Sequence, residues 1–167
     1  MRLLAKTAIA AALLGGPLGA GILAATPAGA APASSYTQTV HQTWDINNTA
    51  IAPAVNPCTG DPVTGTARTN LVNHVTLQGG DNVWATFTET DKVSIADTGT
   101  GETYAGELTF WGNFNLNEQN QNSEFTGNGE LRGDQGDSIG FHEMAVFVET
   151  ATGQVTVNFD NPTFTCG

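Results

Sequence analysis

The feature that most limits what this chain can become is the alternation from Thr103 to Asn117. There Tyr104, Gly106, Leu108, Phe110, Gly112, Phe114 and Leu116 hold every second position. A two-residue period gathers those side chains on one face of a strand, whereas a helix would scatter them around its circumference. The two glycines read as points where the strand bends sharply, as curling a sheet into a barrel requires.

The same period recurs from Tyr36 onward, and no segment carries a 3.6-residue apolar stripe. Tyr36 to Trp44 reads as a first strand, with Tyr36, Val40 and Trp44 on one side and Thr37, Thr39, His41 and Thr43 on the other. In Val63 to Leu77 the odd-numbered residues, including Ala67, Leu71 and Val75, form the core face. Gln78 to Asn82 is a hairpin connection into Val83 to Glu89. The register there is open by one residue. Val83, Ala85 and Phe87 are favoured inward, which leaves Trp84 exposed or at a mouth. Asp91 to Gly101 reads as mostly loop, and Asn117 to Asn122 as a polar turn. Ser123 to Arg132 resumes the pattern with Phe125, Gly127, Gly129 and Leu131; Ile139 to Glu149 and Val155 to Asp160 form the last hairpin around Thr152-Gly153. Pro162 then places the final pairing, at Phe164 and Cys166, on an edge or bulge. The expectation is an all-β domain of seven or eight antiparallel strands, an up-and-down barrel first and a sandwich second.

The first thirty residues read differently. Arg2 and Lys6 precede an apolar stretch from Ala8 to Leu23, and Ala28-Gly29-Ala30 supplies the small residues of a cleavage site. This is the pattern of an export signal cut after Ala30. Gly15, Gly16, Pro17, Gly19 and Gly21 make the stretch a poor membrane anchor, so no membrane insertion is expected. Ala31 to Ser35 reads as a flexible leader, and residues 36–167 as one secreted, extracellular domain. Removing residues 1–30 from 167 leaves 137, enough for one modest core.

Sixteen acidic residues stand against Arg68, Lys92 and Arg132 in that portion, a formal charge of −13. Such a surface repels nucleic acid and anionic membranes, both of which need basic patches to displace counterions. Cys58 and Cys166 are the only cysteines, and in an oxidising compartment their pairing is the default. The bridge would close a loop of about 109 residues and stabilise by roughly 4 to 5 kcal/mol in the chain-entropy account. A catalytic thiol would need a neighbouring base, and none is near Cys166 in sequence.

Asn56-Pro57-Cys58-Thr59-Gly60-Asp61, Asn73-His74-Val75-Thr76, Tyr104-Ala105-Gly106, His142-Glu143 and Asp160-Asn161 ahead of Cys166 together resemble a family of small secreted bacterial proteins, common in actinobacteria. Its members carry an Asn-Pro-Cys-Thr-Gly-Glu type motif and a cysteine near the end; Asp61 stands here in place of that Glu. The resemblance implies the domain limits and the disulfide, and carries no activity. At the level of strand pattern alone the chain is similar to lipocalins and to the allene oxide cyclase and dirigent group, an analogy of fold only.

His142-Glu143 is the most conspicuous chemical pair, although neighbours on a strand point to opposite faces and cooperate only across a bulge. His142 shares a face with Met144, Val146 and Val148; if that face lines the interior, His142 is a candidate ligand group or general base, with Tyr104 or Glu143 assisting. Tyr104, Phe110, Phe114 and Phe125 are the other candidate ligand-lining residues. His41 and His74 fall on polar faces, and no zinc spacing occurs. The acidic turns Asp97 to Glu102 and Asp134 to Asp137 offer oxygen ligands without the twelve-residue calcium-loop pattern. No metal or cofactor is expected. The reading is a non-enzymatic secreted barrel that binds a small apolar ligand or an extracellular surface partner. The alternative is a small barrel enzyme, an isomerase, cyclase or hydrolase, using His142.

Overall fold

A computed structural model describes residues 33–46, 54–78, 82–117, 120–150 and 154–167; the export signal, its cleavage point and the Thr152-Gly153 turn lie outside the described residues. Eight strands follow one another: β1 (Ser34–Asp45), β2 (Val63–Gln78), β3 (Asn82–Asp97), β4 (Thr103–Leu116), β5 (Asn120–Gly133), β6 (Ser138–Thr150), β7 (Val155–Asp160) and β8 (Thr163–Cys166). They form one antiparallel up-and-down sheet in the order β1 to β7, with β8 also paired to β6. Pro162, which cannot donate to a ladder, separates the two strands that share β6 as partner: β7 takes Ala145 to Glu149 and β8 takes Ile139 to His142. Pairing does not close the sheet between β1 and the β7/β8 edge.

Three boundaries differ from expectation. β1 starts at Ser34, inside the expected leader, because Ser34 and Ser35 pair with Leu77 and Thr76. β5 starts at Asn120, within the expected turn. The largest difference is in β3, which runs unbroken through Asp97 where a loop was expected from Asp91. The polar composition of that segment hides a two-residue period: Asp91, Val93, Ile95 and Asp97 all point inward and are buried. Each sits opposite a small or apolar partner or a hydroxyl on β2, namely Thr69, Ala67, Gly65 and Val63 in turn.

Because the register between β1 and β6 carries no shift over its length, inward residues line up in rows across the strands. One row reads Val40, Leu71, Glu89, Phe110, Gly127, Glu143. The next reads Gln42, Thr69, Asp91, Leu108, Gly129, Phe141, Phe164. Large residues of β4 and glycines of β5 face each other in these rows, and the glycines are needed for space. A Cβ on Gly127 would lie 2.5 Å from the Phe110 ring, and one on Gly129 would lie 2.4 Å from a Leu108 methyl. The inner-face glycines of β5 thus let neighbouring rings and branched chains lie flat across the strand.

The core gathers on this inner face: Ala67, Val93, Ile95, Leu108, Phe110, Leu131, Ile139 and Phe141 are buried, with Trp44, Ile46 and Phe164 against them. Phe110 packs on Phe141 at 5.7 Å between ring centroids, and Phe141 on Phe164 at 5.5 Å. One end of the curled sheet is covered by the segment carrying the Asn-Pro-Cys-Thr-Gly-Asp motif, in which Ala54 and Asn56 are buried. Gly60 takes φ 84° in its turn, a conformation that favours glycine. The Cys58–Cys166 disulfide is formed, with Cα atoms 5.8 Å apart, and ties this cover to β8.

Candidate functional site

The motif residues turn out to be structural. Asp97, at the end of β3, accepts from Asn56 Nδ2 and Thr59 Oγ1 at 2.8 Å each through Oδ2. Its Oδ1 accepts from the backbone N–H groups of Gly99 and Thr100. Burial alone would raise its pKa, but these four donors win and hold it down to about 2. Asn56 Oδ1 in turn accepts from Cys58 N, which presents the cysteine to β8. The second acidic turn is occupied in the same way: Asp134 accepts from the hydroxyl and N–H of Thr103, which lowers its pKa. Asp97 and Asp134, one from each acidic turn, are thus engaged by the chain, and among the described residues no group of three acids, histidines or cysteines converges on a metal position.

His142 stands on the outer face, exposed to solvent, and its ring shares a hydrogen bond with Asn128 Oδ1. Its row neighbours, Asn128 and Thr163, are also outward. The condition on which His142 was a candidate base or ligand group, that its face lines the interior, is not met; period two puts Phe141, Glu143 and Ala145 inside instead. Tyr104 is buried and its hydroxyl donates to Glu102 Oε2 at 2.7 Å. That hydrogen bond, with burial, pushes the phenol up to about 12. Phe110 and Phe125 are core residues, and only Phe114 is half-buried, toward the end remote from the disulfide. The apolar void bounded by Trp44, Ala67, Leu108, Leu131, Phe141 and Phe164 measures about 40 Å³. That is room for water-sized molecules only, and its walls offer water no partner.

Three carboxyls that residue type alone would put at the surface stand inward: Glu89, Asp91 and Glu143 are 3 %, 0 % and 1 % exposed. Thr69 Oγ1 donates to Asp91 and accepts from Trp44 Nε1 at 2.7 Å, but Asp91 Oδ2 and Glu143 Oε2 have no hydrogen-bond partner. Burial, reinforced by the neighbouring Asp91, pushes Glu89 up to about 8. Burial, reinforced by Asp160, does the same to Glu143. Asp91 is raised as well, by burial above all. Arg68, Lys92 and Arg132 are all exposed, so among the described residues no cation is inside to offset these groups. The available signal was the period of β3, which assigns Glu89 and Asp91 to the same face as Val93 and Ile95.

The outer face carries the exposed chemistry. Trp84 is 45 % and Trp111 43 % exposed, on neighbouring strands. As favoured from the sequence, Trp84 points outward while Ala85 is buried and Val83 and Phe87 are partly buried. Beside Trp84 an open depression of about 380 Å³ is lined by Gln78, Asn82, Val83, Asn115 and Asn117. A second, of about 510 Å³, lies around His41, Arg68, Asn70 and Lys92.

No known protein family, no curated protein and no solved structure matches the chain.

Proposed function

We propose that this is a secreted, non-enzymatic binding module that recognises an extracellular partner on the outer face of its sheet. The observation that carries the reading is where large apolar side chains are left in water. Trp84, Trp111 and Met144 stand exposed on the outer face, while the enclosed apolar space is only about 40 Å³. Contiguous exposed apolar surface marks contact sites, and Trp111 and Met144 lie in one row of the outer face, flanking Thr126. The disulfide is compatible with an extracellular setting, and the acidic excess suits a protein kept soluble there.

A second reading, a small apolar ligand held inside the curl, is favoured by one feature. Tyr36, Leu77 and Phe147 share the inner face with Val75 and Phe114, yet remain 44 %, 38 % and 37 % exposed. Amide and indole chemical shifts of the disulfide-intact protein separate the two readings. Titration with soluble extracellular polymers is expected to move Trp84 and Trp111. Shifts that instead move Phe114 and Phe147, on titration with a fatty acid or an apolar dye, would turn the assignment to the interior.

A further inference from the structure

Among the described residues, the outer surface of β3 and β4 carries no formal charge at its Trp84 end; Lys92 and Glu107 face each other at its opposite end. The row through Trp84 presents Thr76, Asn115 and Asn122, and the row below it presents His74, Thr86 and Asn113 before reaching Glu124 on β5. Within it, the depression at Trp84 combines one exposed indole with the amides of Gln78, Asn82, Asn115 and Asn117. Asn117 is braced, since its Nδ2 donates to Asn120 Oδ1 at 3.1 Å and its Oδ1 accepts from Asn120 N at 2.9 Å.

An amide carries a donor and an acceptor on one planar group, which matches a hydroxyl that also donates and accepts. An indole offers a flat apolar face with one polar edge, and half-exposed in a polar setting it stacks on a partner that is itself apolar on one side and hydroxylated at its rim. Sugar rings have that construction. The acidic excess selects a neutral partner, because an anionic one would meet the −13 field with no cation among the described residues that line the depression. We propose that the Trp84 depression is a carbohydrate site that takes a neutral glycan, the sugar ring stacking on the indole and its hydroxyls bonding the amides of Asn82 and Asn115. This assignment rests on the surface-recognition reading above and names its partner.

Trp111 extends the site. It pairs with Thr88, four residues along β3 from Trp84, so the two indoles are separated by roughly 14 Å along the strands. Thr86 and Asn113 lie between them on the same face. A polymer spans both rings and a monosaccharide does not.

The test is affinity electrophoresis of the disulfide-intact protein through gels containing dextran, xylan, mannan, laminarin or hydroxyethyl cellulose, with polygalacturonate as anionic control. At least one neutral polymer is expected to retard the protein. Trp84→Ala and Asn115→Ala should each weaken retention at least tenfold with the melting temperature unchanged, and Phe159→Ser, at an exposed ring on β7, should leave it as it was. Trp111→Ala should weaken binding of the polymer and leave that of a disaccharide unchanged in titration. Retention insensitive to Trp84→Ala overturns the site. Failure of every neutral glycan to bind, while another polymer still shifts outer-face resonances, overturns the sugar assignment and leaves surface recognition standing. Retention lost only on Phe147→Ala overturns both.

Discussion

Glu143→Gln should make this protein more stable at alkaline pH and flatten its stability against pH. Glu143 is buried, its Oε2 lacks a hydrogen-bond partner, and burial with Asp160 alongside pushes its pKa from 4.5 to about 8. A carboxyl raised in the folded state binds its proton more tightly there than in the unfolded chain. Its stabilisation is therefore complete below the unfolded value and is lost as pH rises through about 8. At about 1.4 kcal/mol per tenfold change in proton affinity, the loss between pH 5 and pH 8 is on the order of 3 kcal/mol. In a domain of this size that is a fall in Tm on the order of 10 °C. Glutamine keeps the shape and cannot ionise. Scanning calorimetry from pH 5 to pH 8.5 should show the wild type melting progressively earlier, and the variant holding a higher Tm than wild type at pH 8. Glu89, raised for the same reason, leaves a residual slope in the variant. Parallel curves for the two proteins, or a wild type that gains stability as pH rises from 5 to 8, would refute the reasoning.

Asp97→Ala should destabilise by about 2 kcal/mol or more at neutral pH, because the side chain's depressed pKa of about 2 reports the four donors it satisfies. That contribution is present above the unfolded pKa and disappears as pH falls through about 2, so urea midpoints of wild type and variant should converge in strong acid. Gly127→Ala would drive a methyl to 2.5 Å from the Phe110 ring and should cost about 1–3 kcal/mol in denaturant unfolding, with no loss at the outer face. Intact mass after alkylation without reductant should show no modified cysteine, and reduction of Cys58–Cys166 should lower stability by roughly 4 kcal/mol.

Much of the architecture is legible in the chain because it depends on nearest-neighbour geometry. A period of two fixes which residues share a face, so the inward sets of β2 and β4, the outward Trp84 and the all-β class follow from local alternation alone. The pairing of the only two cysteines is equally local in logic, since no competing partner exists. The pattern failed where composition was allowed to outweigh it. Asp91 to Asp97 looks like a loop by residue type and is a strand by period.

What the chain could not declare is which face of β6 is inside, and the candidate role of His142 turns on that choice. His142 and Glu143 are adjacent, and only the packing of β6 between β5 and β8 decides that the carboxyl is buried and the imidazole is in water. Glu89 and Glu143 are far apart in sequence and become members of one row only through four strands of unshifted register. The depression at Trp84 likewise draws its amides from β2, β3, β4 and the turn after β4. Alternation along one strand is set by backbone stereochemistry and is written in the sequence. Rows across strands are set by the collective alignment of the sheet, and only the tertiary structure holds them.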